Sequence, residues 1–112
     1  MSFKERKDTR LESDQFISYR AYDSQDRVCD EGMAKTKDIS RSGVAVENRR
    51  PIEVGTRVEL TIALKEELIK TYATVRNVKE LDEQNFHIGL EFVKISEEEL
   101  DKLSKEFPNL MV

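Results

Sequence analysis

Arg6-Lys7-Asp8-Thr9-Arg10 sets two guanidinium groups four residues apart, and Asp38-Ile39-Ser40-Arg41-Ser42-Gly43 adds a carboxylate, a hydroxyl and a glycine. The two patterns are RxxxR and [D/N]xSxxG. An arginine fork matches the O6 and N7 acceptors of guanine with paired hydrogen bonds, worth about 1–3 kcal/mol of discrimination. The same fork can grip a phosphate or stack on a base, which a lysine does less well. Guanine's opposite edge presents N1–H and N2–H₂, donors that suit the Asp38 carboxylate and the Ser40 hydroxyl. Gly43 can take a positive φ or admit a ligand close to the backbone. Together these groups fit a phosphorylated guanine ligand. Lys7 and Arg41 lie inside the two motifs and are further candidates for the phosphate.

Neither motif is informative alone. Two arginines at this spacing are commonly a solvated face, and Asp and Ser at a strand end commonly serve backbone amides in a turn. Both together, in a chain of 112 residues, are expected by chance in about one sequence in a hundred.

The elements that position these groups are predicted to be strands. Val58, Leu60, Ile62 and Leu64 alternate with Arg57, Glu59, Thr61 and Lys65, and Phe86, Ile88, Leu90 and Phe92 alternate with His87, Gly89, Glu91 and Val93. Period two over such a length means a sheet with one buried face. Further strands are predicted over 14–22, 29–39, 43–47 and 68–79, with Gly32 marking a bulge in the second. Turns are expected at Asp23-Ser24-Gln25-Asp26, at 65–67 and at 82–85. Ser96-Glu97-Glu98-Glu99 reads as a capping box, with Leu100, Leu103 and Phe107 on one helical face and Pro108 as the stop. The fold class is therefore mainly β: a six-stranded antiparallel β-barrel with a C-terminal α-helix, since closure removes exposed strand edges. Residues 1–13 read as a flexible N-terminal arm and 14–112 as one domain.

Composition narrows the function classes. Charged residues make up 38% of the chain and hydrophobic residues another 38%, with a formal net charge of −4. Binding to duplex DNA or RNA rests on many phosphate contacts, which an acidic chain disfavours. Cys29 is the single cysteine, so neither a disulfide nor a zinc cluster within the chain is expected, and it reads as a small packed hydrophobe. No apolar stretch reaches a membrane span and the start lacks a signal-peptide core, so a cytoplasmic location without membrane insertion is expected. Asp23, Asp26, Asp30 and Glu31 read as a solvated hairpin end, and Arg49 and Arg50 either extend the anionic site or form an exposed loop. His87 should point outward. No catalytic constellation, metal site or cofactor site is expected.

At these residues the chain resembles the PilZ domain family of bacterial cyclic di-GMP receptors. Besides the two motifs, Pro51-Ile52-Glu53-Val54-Gly55 is similar to the family's loop into the next strand, and Ile88-Gly89-Leu90-Glu91-Phe92 to its late strand. The resemblance implies a six-stranded barrel with a C-terminal helix and no enzymatic activity. It implies that Arg6 and Arg10 clamp guanine and phosphate while Asp38, Ser40 and Gly43 hold the guanine. It also implies an unidentified downstream protein, in motility or biofilm control, as partner. Glu5 stands where many relatives carry a further arginine, which points to one ligand per chain. A PilZ-like interaction adaptor that does not depend on cyclic di-GMP is the alternative.

Overall fold

Strands with one apolar face bury it most completely by closing on themselves, and that is the architecture here. The structure, a computed structural model, describes residues 16–64 and 67–106. Six strands, β1 (Phe16–Tyr22), β2 (Val28–Ile39), β3 (Gly43–Asn48), β4 (Arg57–Ala63), β5 (Leu68–Asp82) and β6 (Asn85–Lys94), precede one helix, α1 (Glu97–Glu106). They form a closed antiparallel barrel in the order β1-β2-β3-β6-β5-β4, with β4 returning to β1. Ile17, Tyr19 and Ala21 of β1 point inward with Val58, Leu60 and Ile62 of β4 and Ile88 and Leu90 of β6. His87, beside fully buried Ile88, lies on the outer face opposite Glu47 and Lys79.

The β1–β2 turn and the helix cap form by the expected chemistry. In the β1–β2 turn the Asp23 carboxylate accepts from the Gln25 and Arg27 amides at 2.9 and 3.0 Å, and Asp26 takes a left-handed conformation with φ 65°. Its acidic side chains are not simply solvated: Asp26 pairs with Arg57, Asp30 with Arg50 and Glu31 with Arg20. The β5–β6 hairpin is longer than the pattern predicts, so β5 runs to Asp82 and β6 starts at Asn85. The Gln84 amide, then the Asn85 side chain, hold the Asp82 carboxyl below its usual range. Ser96 caps α1 reciprocally: its hydroxyl accepts from the Glu99 amide at 3.0 Å, and Glu99 accepts from the Ser96 amide at 3.1 Å. Leu100 and Leu103 are buried, and Leu103 joins the barrel core. Residues 1–15, Lys65 and Glu66, and 107–112 lie outside the described residues. They include Arg6, Lys7, Arg10, Phe107 and Pro108.

Two expectations are corrected by the register. Gly32 is not a bulge residue; it sits in regular pairing opposite Tyr19. The slip falls instead between Ala21↔Asp30 and Tyr22↔Val28, which leaves Cys29 as the extra residue of β2. An extra residue breaks the in–out alternation and is left unpaired. Cys29 is accordingly exposed rather than packed. Leu81 and Val93 are likewise skipped in the β5–β6 pairing, and both are exposed.

Truncating Leu103 to Ala should cost about 2–5 kcal/mol of unfolding free energy, as for other buried leucines. Ser96→Ala should cost about 1 kcal/mol, the worth of a cap. Urea titration of both variants checks the two values, and a Leu103→Ala loss below that of Ser96→Ala would contradict the docking of α1.

Candidate nucleotide-binding site

Strict alternation would bury Asp38. Thr36 faces inward, so Lys37 should face out, Asp38 in and Ile39 out. The structure shows otherwise. Thr36 pairs with Val46 and Asp38 with Ala45, so Lys37 is an extra residue. Past this bulge both Lys37 and Asp38 are exposed and Ile39 is fully buried. The bulge therefore re-aims the carboxylate of the second motif onto the outer surface.

What Asp38 then faces is a row of paired residues across four strands. Asp38 of β2 lies opposite Ala45 of β3, Ala45 opposite Gly89 of β6, and Gly89 opposite Asn77 of β5. The two middle residues have almost no side chain, so the row is a low floor between two polar ends, with the Asn77 carboxamide leaning over Gly89. At ordinary strand spacing the outer two strands are about 14 Å apart. A second bulge closes the far wall: Val75 pairs with Leu90 and Asn77 with Gly89, so Arg76 is extra and both Arg76 and Asn77 are exposed. The resulting cleft has a volume of about 210 Å³ and is lined by Asp38, Ser40, Ser42, Gly43, Arg76 and Asn77 among others. That is space for one base rather than a whole dinucleotide.

The loop between β2 and β3 is held by its own side chains. Ser42 N–H donates to the Ser40 hydroxyl at 3.3 Å, and the Ser40 amide donates to the Gly43 carbonyl at 2.8 Å. The Ser42 carbonyl accepts from the Phe92 amide at 2.8 Å, which ties the loop to β6. Arg41 reaches away from the cleft to α1, donating to both carboxylate oxygens of Glu97 at 2.9 and 3.2 Å. Asp38 has no partner among the described residues. A carboxylate left as an open acceptor at the edge of a low floor is suited to the paired donors of a guanine.

Gly43 is where the structure differs most from the sequence argument. Its φ is not in the positive range; among the described glycines only Gly55 is. Gly43 is paired with Glu91, and a Cβ there would lie 2.1 Å from the Leu90 carbonyl oxygen. The barrel's own backbone thus demands a glycine at this position. Gly89 differs: a Cβ there would lie 2.7 Å from the Asn77 carboxamide, the end of an exposed side chain that can move aside. Arg76, Asn77, Ala45 and Gly89 were not singled out by motif reasoning. One signal was present: Gly89 interrupts an otherwise clean strand at an outward position, where glycine often marks close approach of a ligand or another backbone.

Larger clefts are chemically less suited. One of about 680 Å³ includes Tyr22, Cys29 and Arg57, but Arg57 is stacked on Tyr22 at 4.5 Å and paired with Asp26. Arg50 does not extend the site either; it donates to Asp30 at 2.6 Å, and Asp30 also accepts from the Tyr19 hydroxyl. Among the described residues no cluster of three His, Cys, Asp or Glu side chains could hold a metal ion. No described helix is long and apolar enough to cross a membrane.

The PilZ domain family model matches residues 4–106, a span that includes both motifs and every strand. The chain belongs to the PilZ domain family, a family of cyclic di-GMP receptor domains. Two solved structures of MrkH from K. pneumonia share the fold. One, from a P2(1) crystal, gives a TM-score of 0.61 at 21% identity, covering 86% of this chain and 44% of that one. The other, in the apo state, gives 0.59 at 20% identity, covering 86% and 46%. This chain spans less than half of either, and at such identities the likeness speaks to the fold alone. No curated protein matches the chain in sequence.

Gly43→Ala should destabilise the barrel by about 1–3 kcal/mol, the usual range for overpacking. The clash is with the Leu90 carbonyl, so the loss should appear in ligand-free protein. Unfolding of Gly43→Ala at wild-type urea concentration would show that the β3–β6 contact yields easily and that glycine is not needed for the fold.

Proposed function

We propose that this chain is a non-enzymatic cyclic di-GMP receptor that acts as an adaptor. In this reading Asp38 accepts from N1–H and N2–H₂ of one guanine, which lies on the Ala45–Gly89 floor beside Ser40 and Gly43. Arg6 and Arg10 then close over the ligand, one fork on guanine and one on phosphate, with Lys7 nearby. Ordering the arm uses part of the binding free energy and changes the surface offered to a downstream protein, in motility, adhesion or matrix production. With Glu5 beside the first motif, one ligand binds per chain.

The observation that carries this reading is the open Asp38 carboxylate at the end of a four-strand row whose centre is Ala45 and Gly89. Chain geometry supports the role of the arm. Phe16, where β1 begins, pairs with Lys35, three residues from Asp38, so β1 starts at the end of β2 that carries the motif. Arg10 lies six residues before Phe16, a reach of about 20 Å when extended. The adaptor reading without a dinucleotide is favoured by one observation: Phe16 and Met33 are exposed and line a cleft of about 360 Å³ with Arg49 and Arg50. A protein partner whose affinity ignores cyclic di-GMP would support it.

Titration calorimetry with cyclic di-GMP tests the receptor reading. The intact protein should bind with one ligand per chain. Arg10→Ala should weaken binding by roughly tenfold to a hundredfold, the worth of a bidentate arginine pair, and Ser40→Ala by about tenfold. Absence of binding heat in the intact protein, across temperatures, would reject it.

A further inference from the structure

We propose that Arg76 receives a phosphodiester of the ligand on the barrel side of the cleft, a role outside both sequence motifs. This rests on the reading of the cleft as a cyclic di-GMP site. Arg76 is the one cation among the described residues lining it. A ligand with two phosphodiester charges set against an Asp38 carboxylate needs a positive group close by. The other cations near the second motif are already committed. Lys37 pairs with Glu47 at 3.5 Å, and Arg41 gives its fork to Glu97.

The guanidinium of Arg76 is also oriented in advance. Its Nε donates to Glu91 across the β5–β6 pair. Its two terminal NH₂ groups meet no partner among the described residues. Glu91 is therefore a positioning residue: it occupies one edge of the guanidinium and leaves the outer donors for a phosphate. Arginine suits this arrangement because its planar fork keeps fixed directions, where a lysine would supply only a point charge. Arg76 faces outward by ordinary alternation from buried Val75, and the β5 bulge turns the next residue, Asn77, outward beside it at the wall opposite Asp38. Acceptor and cation thus stand at opposite ends of a side-chain-poor floor.

The test is calorimetry on the intact 112-residue chain with cyclic di-GMP at several salt concentrations. Wild type, Arg76→Met, Arg76→Lys and Asp38→Ala are compared. The Arg76 side chain is 61% exposed, so Arg76→Met should melt as wild type does, and Arg76→Lys guards against a folding loss. Arg76→Met should bind at least tenfold more weakly, with a shallower log–log salt slope, because one screened charge contact is lost. Arg76→Lys should recover the slope but only part of the affinity. If Arg76→Met stays within twofold of wild type with the same slope while Asp38→Ala is weakened, the role of Arg76 is overturned and the receptor reading stands. If wild type itself does not bind, both fall.

Discussion

Side chains along a strand alternate between faces, and the whole candidate site depends on one interruption of that rule. A single extra residue, Lys37, lets Asp38 and Ile39 exchange the faces they would otherwise occupy. Without it the carboxylate would enter an apolar core, where an unpaired charge costs several kcal/mol, and Ile39 would lie in water. The core therefore selects the bulged register, and the bulged register exposes the motif. The bulge also has a local cost: Thr36, the residue before it, has a buried hydroxyl with no partner among the described residues. Such a group lowers stability by about 1–3 kcal/mol. The same device on β5 turns Asn77 outward beside Arg76, so both walls of the cleft include a residue re-aimed by a bulge.

The floor between those walls is set by backbone packing as much as by ligand chemistry. Gly43 has no side chain because the Leu90 backbone carbonyl occupies that space, whereas Gly89 is neighboured only by the exposed, movable Asn77 side chain. What reads as a binding glycine in the motif is first a structural one, and the low surface follows from it. Around the floor, exposed ion pairs such as Arg41–Glu97, Arg76–Glu91 and Lys37–Glu47 hold long side chains in place. Exposed pairs contribute about 0–1 kcal/mol each, so their effect is orientation. Stability comes from the closed barrel core and the docked helix.

The barrel was legible wherever one periodicity ran unbroken. The inward residues of β4 and β6, the Asp23 turn and the Ser96–Glu99 cap all stand where alternation, turn chemistry and capping rules place them. What the pattern hid were the bulges. A one-residue slip leaves no mark on composition, and its position is decided by which register lets the whole strand bury its apolar residues. Gly32 looked like a break and is regularly paired; Cys29 looked like core and is the extra residue. The same blindness applies to the site. Asp38 and Ser40 were visible through their motif, whereas Asn77 enters only through its long-range pairing with Gly89, and Arg76 only as its neighbour, which sequence spacing does not reveal.

The most direct test is an NMR titration of the intact chain with cyclic di-GMP, following backbone amides one by one. The account predicts shifts concentrated at Asp38, Ser40, Ala45, Asn77 and Gly89. It also predicts that the amides of residues 6–10 lose fast motion as the site saturates. Shifts confined to the Tyr22–Arg57 side of the barrel, or residues 6–10 with the same dynamics at saturation as without ligand, would contradict it.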